Sequence, residues 1–152
     1  DVTGVTFLEI GAGVSYREYD DPSFEAEFNF DYSLKAIWNA TDVITLNAEL
    51  ARDFKDSATA GESSSLVDKG VLSVDYEFLD NVILSGAMDL SWSTTDQSGR
   101  EDFSLGPRLG VRYLVNENWS AQLNVGYSRQ ASNFAGESFS NYSAGFGLVG
   151  KL

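Results

Sequence analysis

Residues 25–38, EAEFNFDYSLKAIW, carry two residue sets in strict alternation. The even positions are Ala26, Phe28, Phe30, Tyr32, Leu34, Ala36 and Trp38; the odd positions are Glu25, Glu27, Asn29, Asp31, Ser33, Lys35 and Ile37. One set is apolar and aromatic, and the other is polar except for Ile37. A period of two puts the sets on opposite faces of a β-strand, whereas a helix would mix them on every side. At about 3.3 Å per residue, a strand of this length reaches roughly 46 Å, or about 35 Å along a barrel axis if tilted by ~40°. Soluble strands usually run to about five or six residues. A longer strand with an unbroken apolar face closed by Trp38 suits a bilayer's hydrocarbon core and its aromatic interface.

The same alternation recurs along the chain and predicts eight strands, at 5–19, 25–38, 43–55, 66–79, 82–94, 103–115, 119–130 and 141–152. The first sets Leu8, Ile10, Val14 and Tyr16 against Glu9, Ser15 and Arg17; the third sets Ile44, Leu46 and Leu50 against Asn47, Glu49 and Asp53. The fourth sets Leu72, Val74, Tyr76 and Phe78 against Lys69, Asp75 and Glu77, and the fifth sets Leu84, Met88, Leu90 and Trp92 against Ser85 and Asp89. The sixth sets Leu109, Val111 and Tyr113 against Arg108 and Arg112; the seventh sets Trp119, Leu123, Val125 and Tyr127 against Gln122 and Asn124. The eighth has Tyr142, Ala144, Phe146 and Leu148 on one face. Tight turns follow strands two, four and six, and longer polar links follow three, five and seven; only the link after strand one, 20–23, is short for its class. Short turns at one end and long loops at the other is the layout of an outer-membrane barrel, with the chain ends at the short-turn, periplasmic side.

The 152 residues suit one domain, and their net charge of −13 argues against a nucleic-acid partner. Cysteine and histidine are absent. That removes disulfides, thiolate metal sites and every histidine-dependent hydrolytic mechanism. No run of 18 apolar residues is present, which speaks against a transmembrane helix but not against a barrel, where only every second residue meets lipid. No signal peptide opens the sequence, so it reads as one that has lost it or as part of a longer chain.

Alternation alone does not say which face is inside. A soluble lipocalin-like barrel turns its apolar face inward; a membrane barrel inverts that sense. Inversion is favoured by an aromatic girdle at the strand ends: Trp38, Phe78, Tyr113 and Trp119 toward the turns, and Tyr16, Trp92 and Tyr127 toward the loops. The apolar face is nearly free of charge, broken by Arg52, Asp68 and Arg129 near the loop end. The other face mixes signs. It carries Glu9, Glu27, Asp31, Glu49, Asp53, Asp75, Glu77 and Asp89, with Arg17, Lys35, Lys69, Arg108, Arg112 and Lys151. Charges turned inward must be paired, so an ion-pair network in the lumen is expected.

Other motifs carry less. Gly145–Gly150 fits G-x-G-x-x-G, but no helix follows to hold a pyrophosphate. Inward carboxylate pairs such as Asp75 and Glu77 suit ion pairing better than acid–base work, so no catalytic residue, cofactor or metal is assigned. Acidic loop ends at Asp20 and Asp21, Asp53 and Asp56, and Glu101 and Asp102 lack EF-hand spacing for Ca²⁺. Arg52, Arg100 and Arg129 near the loop end could meet lipopolysaccharide phosphates or loop acids.

The chain resembles the putative β-barrel porin type 2 family of Gram-negative outer-membrane proteins. The resemblance rests on Tyr16-Arg17-Glu18-Tyr19-Asp20-Asp21-Pro22, Leu34-Lys35-Ala36-Ile37-Trp38-Asn39, Arg52-Asp53-Phe54, Arg100-Glu101-Asp102, Tyr113-Leu114-Val115-Asn116, and Tyr127-Ser128-Arg129 with Ser132 and Asn133. It covers most of the chain and matches the C-terminal part of longer members. Leu152, with alternate apolar residues before it, looks like the outer-membrane sorting signal, which more usually ends in Phe. The family's association with capsule and exopolysaccharide secretion implies polysaccharide export as one role. The expectation is therefore an all-β, eight-stranded, antiparallel up-and-down transmembrane β-barrel of the bacterial outer membrane. Three readings stay open: a non-enzymatic structural subunit of an envelope complex, a porin-like or export channel component, and a soluble ligand-binding barrel with an apolar cavity. Its expected partners are the lipid bilayer, lipopolysaccharide and envelope-complex proteins.

Overall fold

The computed structural model describes residues 4–19, 26–56, 64–95 and 98–151. They form one antiparallel sheet of eight strands: β1 (Gly4–Arg17), β2 (Glu27–Thr41), β3 (Ile44–Asp56), β4 (Ser64–Leu79), β5 (Val82–Thr95), β6 (Arg100–Leu114), β7 (Trp119–Ser132) and β8 (Phe139–Gly150). Each strand pairs with the next in sequence, giving the order β1-β2-β3-β4-β5-β6-β7-β8. The up-and-down topology read from the alternation is the one observed.

Two features differ from expectation. Among the described residues the sheet is open: no ladder joins β1 to β8. The link after β1 is also a long one. β1 ends at Arg17 and β2 starts at Glu27, so the interval is 18–26, while β6 and β8 begin at Arg100 and Phe139, shortening the links before them. Backbone ladders extended past the last clear alternation because polar residues at strand ends pair as well as apolar ones once the register is set. Asp20, Asp21 and Leu152, singled out in the sequence, lie outside the described residues.

The short turns follow from their residues. Asn116 Oδ1 accepts the N–H groups of Asn118 and Trp119, both at 2.9 Å, the local side-chain mimicry that makes Asn a turn residue. At the first turn, the Val43 N–H donates to Thr41 Oγ1 at 3.3 Å. Gly136 has φ +88° in the link between β7 and β8, a conformation that favours glycine.

The registers assemble two faces. Leu34, Leu50, Gly70, Leu90 and Leu105 follow one another across β2 to β6 on one side, and Lys35, Glu49, Val71, Asp89 and Gly106 on the other. The apolar side is exposed: Ile10, Phe28, Leu109, Tyr142 and Phe146 are each at least 65 % accessible. Among the described residues only Ser64, Val67, Thr95 and Gly110 are buried. Val67, Thr95 and Gly110 occupy polar-face positions in the register. What burial exists therefore lies mainly on the polar side, and the apolar side has no core of its own.

Candidate functional site: the polar face and its apolar counterface

The polar face is built by the odd positions of β1 to β5, the even positions of β6 and β7 and the odd positions of β8, as the ladders align them. Its charges meet across neighbouring strands. Lys35 on β2 reaches Glu49 on β3 at 3.1 Å, its direct register partner. Lys69 on β4 bonds Asp53 on β3. Arg108 on β6 reaches Asp89 on β5 at 2.7 Å. Arg17 and Glu27 are register partners at the loop end, where Arg17 also lies 4.3 Å from the Phe54 ring centroid and Ser64 donates to Glu27 at 2.6 Å. Asp75 and Arg112 line one small pocket with Gln122 and Asn124. Glu9, Asp31 and Glu77 share the face without an ion-pair partner among the described residues. Asp31 Oδ1 is shielded from solvent and accepts no hydrogen bond there. Lys151 lies past the end of β8, where its N–H bonds the Asn118 carbonyl.

These pairs are local. They are also half exposed: 48 % and 50 % for Lys35 and Glu49, 57 % and 40 % for Arg108 and Asp89. Between Lys69 and the Arg108–Asp89 pair runs a shallow trough floored by Ser91, Ser104 and Gly106. Small residues on its floor hold it open. Gly110 is small for another reason: a Cβ there would collide with Ser85 Oγ and Asn124 Oδ1.

The aromatic residues expected to form a girdle lie on the counterface. Tyr16, Trp38, Phe78, Trp92, Tyr113 and Trp119 are exposed on it, and the Tyr127 ring meets Tyr142 at a tilt of 45° with centroids 4.9 Å apart. Trp92 meets Phe103 edge-on at 6.2 Å. Trp119 lies over Gly150, within 3.0 Å of where a Cβ would sit.

One cluster on this face escaped the sequence reading. Arg52 grips Asp68 with two hydrogen bonds, Nε to Oδ1 at 2.6 Å and Nη2 to Oδ2 at 2.7 Å. Tyr32 Oη donates to the same Asp68 Oδ1 at 2.9 Å, and the Arg52 guanidinium lies 5.2 Å from the Tyr32 ring centroid. Arg52 and Asp68 break the apolar pattern singly, but the β3–β4 register makes them direct partners. Opposite signs at two pattern-breaking positions on adjacent strands were the available signal. Arg100, grouped in the sequence with Arg52 and Arg129, takes the loop-acid alternative and binds Asp102 at 2.8 Å and Glu137 at 3.0 Å. Arg129 is exposed on the apolar face beside Leu105 and Ser140. No group of three metal-ligating side chains converges among the described residues, and Gly145–Gly150 lies within β8.

A family model described as putative beta-barrel porin 2 matches residues 1–152, the whole chain. No curated protein and no solved structure matches it.

Proposed function

We propose, from the premise that the chain belongs to the family described as putative beta-barrel porin 2, that it forms wall of a water-filled pore in the bacterial outer membrane. The apolar face, flanked by its aromatic girdle, meets lipid; the polar face lines the lumen. The observation that carries this reading is the half-exposed polar face of an open sheet. An eight-stranded barrel closed on itself has an interior just wide enough for side chains to fill, and Lys35, Glu49, Arg108 and Asp89 are not packed in that way. A wall with more curvature radius leaves them hydrated. The role is non-enzymatic, and hydrophilic solutes are the cargo class.

Lipid supports the other face. Contiguous apolar patches beyond a few hundred Å² do not suit water, and exposed residues from Leu8 to Leu148 make this one span the whole sheet. Irregular edges cannot stand in hydrocarbon, where each unpaired backbone group costs several kcal/mol. β1 and β8 therefore take partner strands in the membrane. At the loop end, the exposed Arg129 suits an anionic headgroup phosphate, with lipopolysaccharide as the outer-leaflet partner.

A second reading is a narrow, plugged barrel serving an envelope complex; the Lys35–Glu49 and Arg108–Asp89 pairs would be its interior parts. The chain folded in detergent separates the two on gels of unheated against boiled samples, with the mass of the folded species measured in parallel. Polymer-sized or ionic conductance from a species holding more than one sheet is expected. A heat-modifiable monomer that does not conduct would refute the open pore and leave the plugged barrel.

A further inference from the structure

Resting on the pore reading above, we propose that this wall selects for cations, so that the solutes it passes best are positively charged or neutral. Most of the described cations of the polar face are held by carboxylates. Lys35 is held by Glu49, Lys69 by Asp53, Arg108 by Asp89, and Arg100 by Asp102 and Glu137. Arg17 faces Glu27 across the β1–β2 ladder. The carboxylates left over among the described residues are Glu9, Asp31, Asp75 and Glu77; the cations left over there are Arg112 and, past the end of β8, Lys151. A solute moving along this face meets neutral pairs and, between them, net negative charge.

The turn end repeats the pattern. The three short turns, 42–43, 80–81 and 115–118, carry Asp42, Asp80 and Glu117, all exposed, and no lysine or arginine. Asp75 and Glu77 sit just inside that rim in β4. Against these five carboxylates stand Arg112 in β6 and Lys151 beyond β8. A ring of carboxylates at a constriction or mouth is how cation channels reject anions. The hairpin order distributes the acids around the rim instead of massing them at one point.

The size of the effect follows from the potential. With a wall potential of about one kT, cations are enriched about 2.7-fold and anions depleted as much, a permeability ratio of roughly sevenfold. The screening length falls to about 3 Å at 1 M salt, so the preference should shrink toward unity there.

The test is the zero-current potential of the full chain in a planar bilayer under a tenfold KCl gradient, at low and then high mean salt. The expected result is potassium over chloride by several-fold at low salt, reduced at high salt. A second protein, Asp42→Asn/Asp80→Asn/Glu117→Gln, changes only exposed turn positions; its folding is checked by heat-modifiability on a gel. It should lose at least half of the preference while keeping its conductance. A conducting chain with no preference, or a preference for chloride, overturns the inference. So does a turn variant that keeps the full preference together with a Glu9→Gln/Glu77→Gln variant that also keeps it. A folded chain that never conducts removes the pore itself, and that outcome is distinct from a wrong sign.

Discussion

Replacing Asp68 with alanine should expose the sense of the sheet. Asp68 accepts two hydrogen bonds from Arg52 and one from Tyr32, all on the apolar face. Without it, Arg52 stays as an uncompensated charge on the apolar face beside the Tyr32 ring. Removing one partner of a desolvated pair costs about 3–5 kcal/mol. The cluster, however, shares a register row with Trp92, at the edge of the girdle, and the two side chains remain 29 % and 34 % exposed. An arginine facing lipid costs about 2–4 kcal/mol at the midplane and about 0–1 near the interface. The position between those depths gives an expected loss of about 1–3 kcal/mol. The double variant Arg52→Leu/Asp68→Leu puts apolar groups in place of both charges and should lie within about 1 kcal/mol of the parent, or above it. Urea unfolding from lipid vesicles, followed by tryptophan emission and by gel mobility, measures all three proteins. If the face met water instead, the pair would be a surface salt bridge worth about 0–1 kcal/mol, and two leucines would add nothing to stability. A silent Asp68→Ala, or a double variant less stable than the single, would refute the assignment of this face to lipid.

The other expectations are smaller or more local. Lys35→Gln should change stability by less than about 1 kcal/mol, since its bridge to Glu49 is half exposed; a loss above that in the same urea assay would mean the pair is dehydrated. Gly110→Val should cost about 1–3 kcal/mol by overpacking against Ser85 and Asn124, whereas Gly145→Ala, with nothing within 4 Å of the new Cβ, should be neutral in the isolated sheet. Gly136→Ala, at φ +88°, should cost about 1–2 kcal/mol, read as a shift of the unfolding midpoint.

The strands and their faces were legible because a period of two survives in a single sequence. The segment 25–38 fixes its own faces without any knowledge of its neighbours. Partners were not legible, because pairing depends on register. Lys35 has Asp31 four residues back on its own strand face, yet binds Glu49, set beside it by the β2–β3 ladder. Arg52 and Asp68 looked like two separate flaws in an apolar stripe until one ladder joined them. For Arg100 the sequence left phosphate and loop acids as equal alternatives; the β7–β8 link brings Glu137 to it and decides for the acids. Closure was the least legible feature. Eight alternating strands describe a barrel of eight or an arc of a wider one equally well, since the pattern marks faces and says nothing about what lies beside the first and last strand.

The glycines at the two edges bear on that question. In the interior of the sheet, polar-face glycines have visible reasons: Gly110 makes room for Ser85 and Asn124, Gly126 for Ser143 and Arg108. Gly13 in β1 and Gly145 in β8 lie on the same face, and a Cβ at either would meet nothing within 4 Å. Glycine weakens a strand and exposes its backbone, so within a strand it marks a bend or a close approach. Neither the β2 ladder beside Gly13 nor the β7 ladder beside Gly145 supplies one. On the pore reading, a close approach at these two positions would come from the open side of each edge, where among the described residues the backbone also lacks its hydrogen-bond partners. Among the described residues, side-chain neighbours at Gly13 and Gly145 and backbone partners are thus missing on the same pair of edge strands. Both are filled at once by strands laid against β1 and β8, which is the arrangement a membrane requires of any sheet within it.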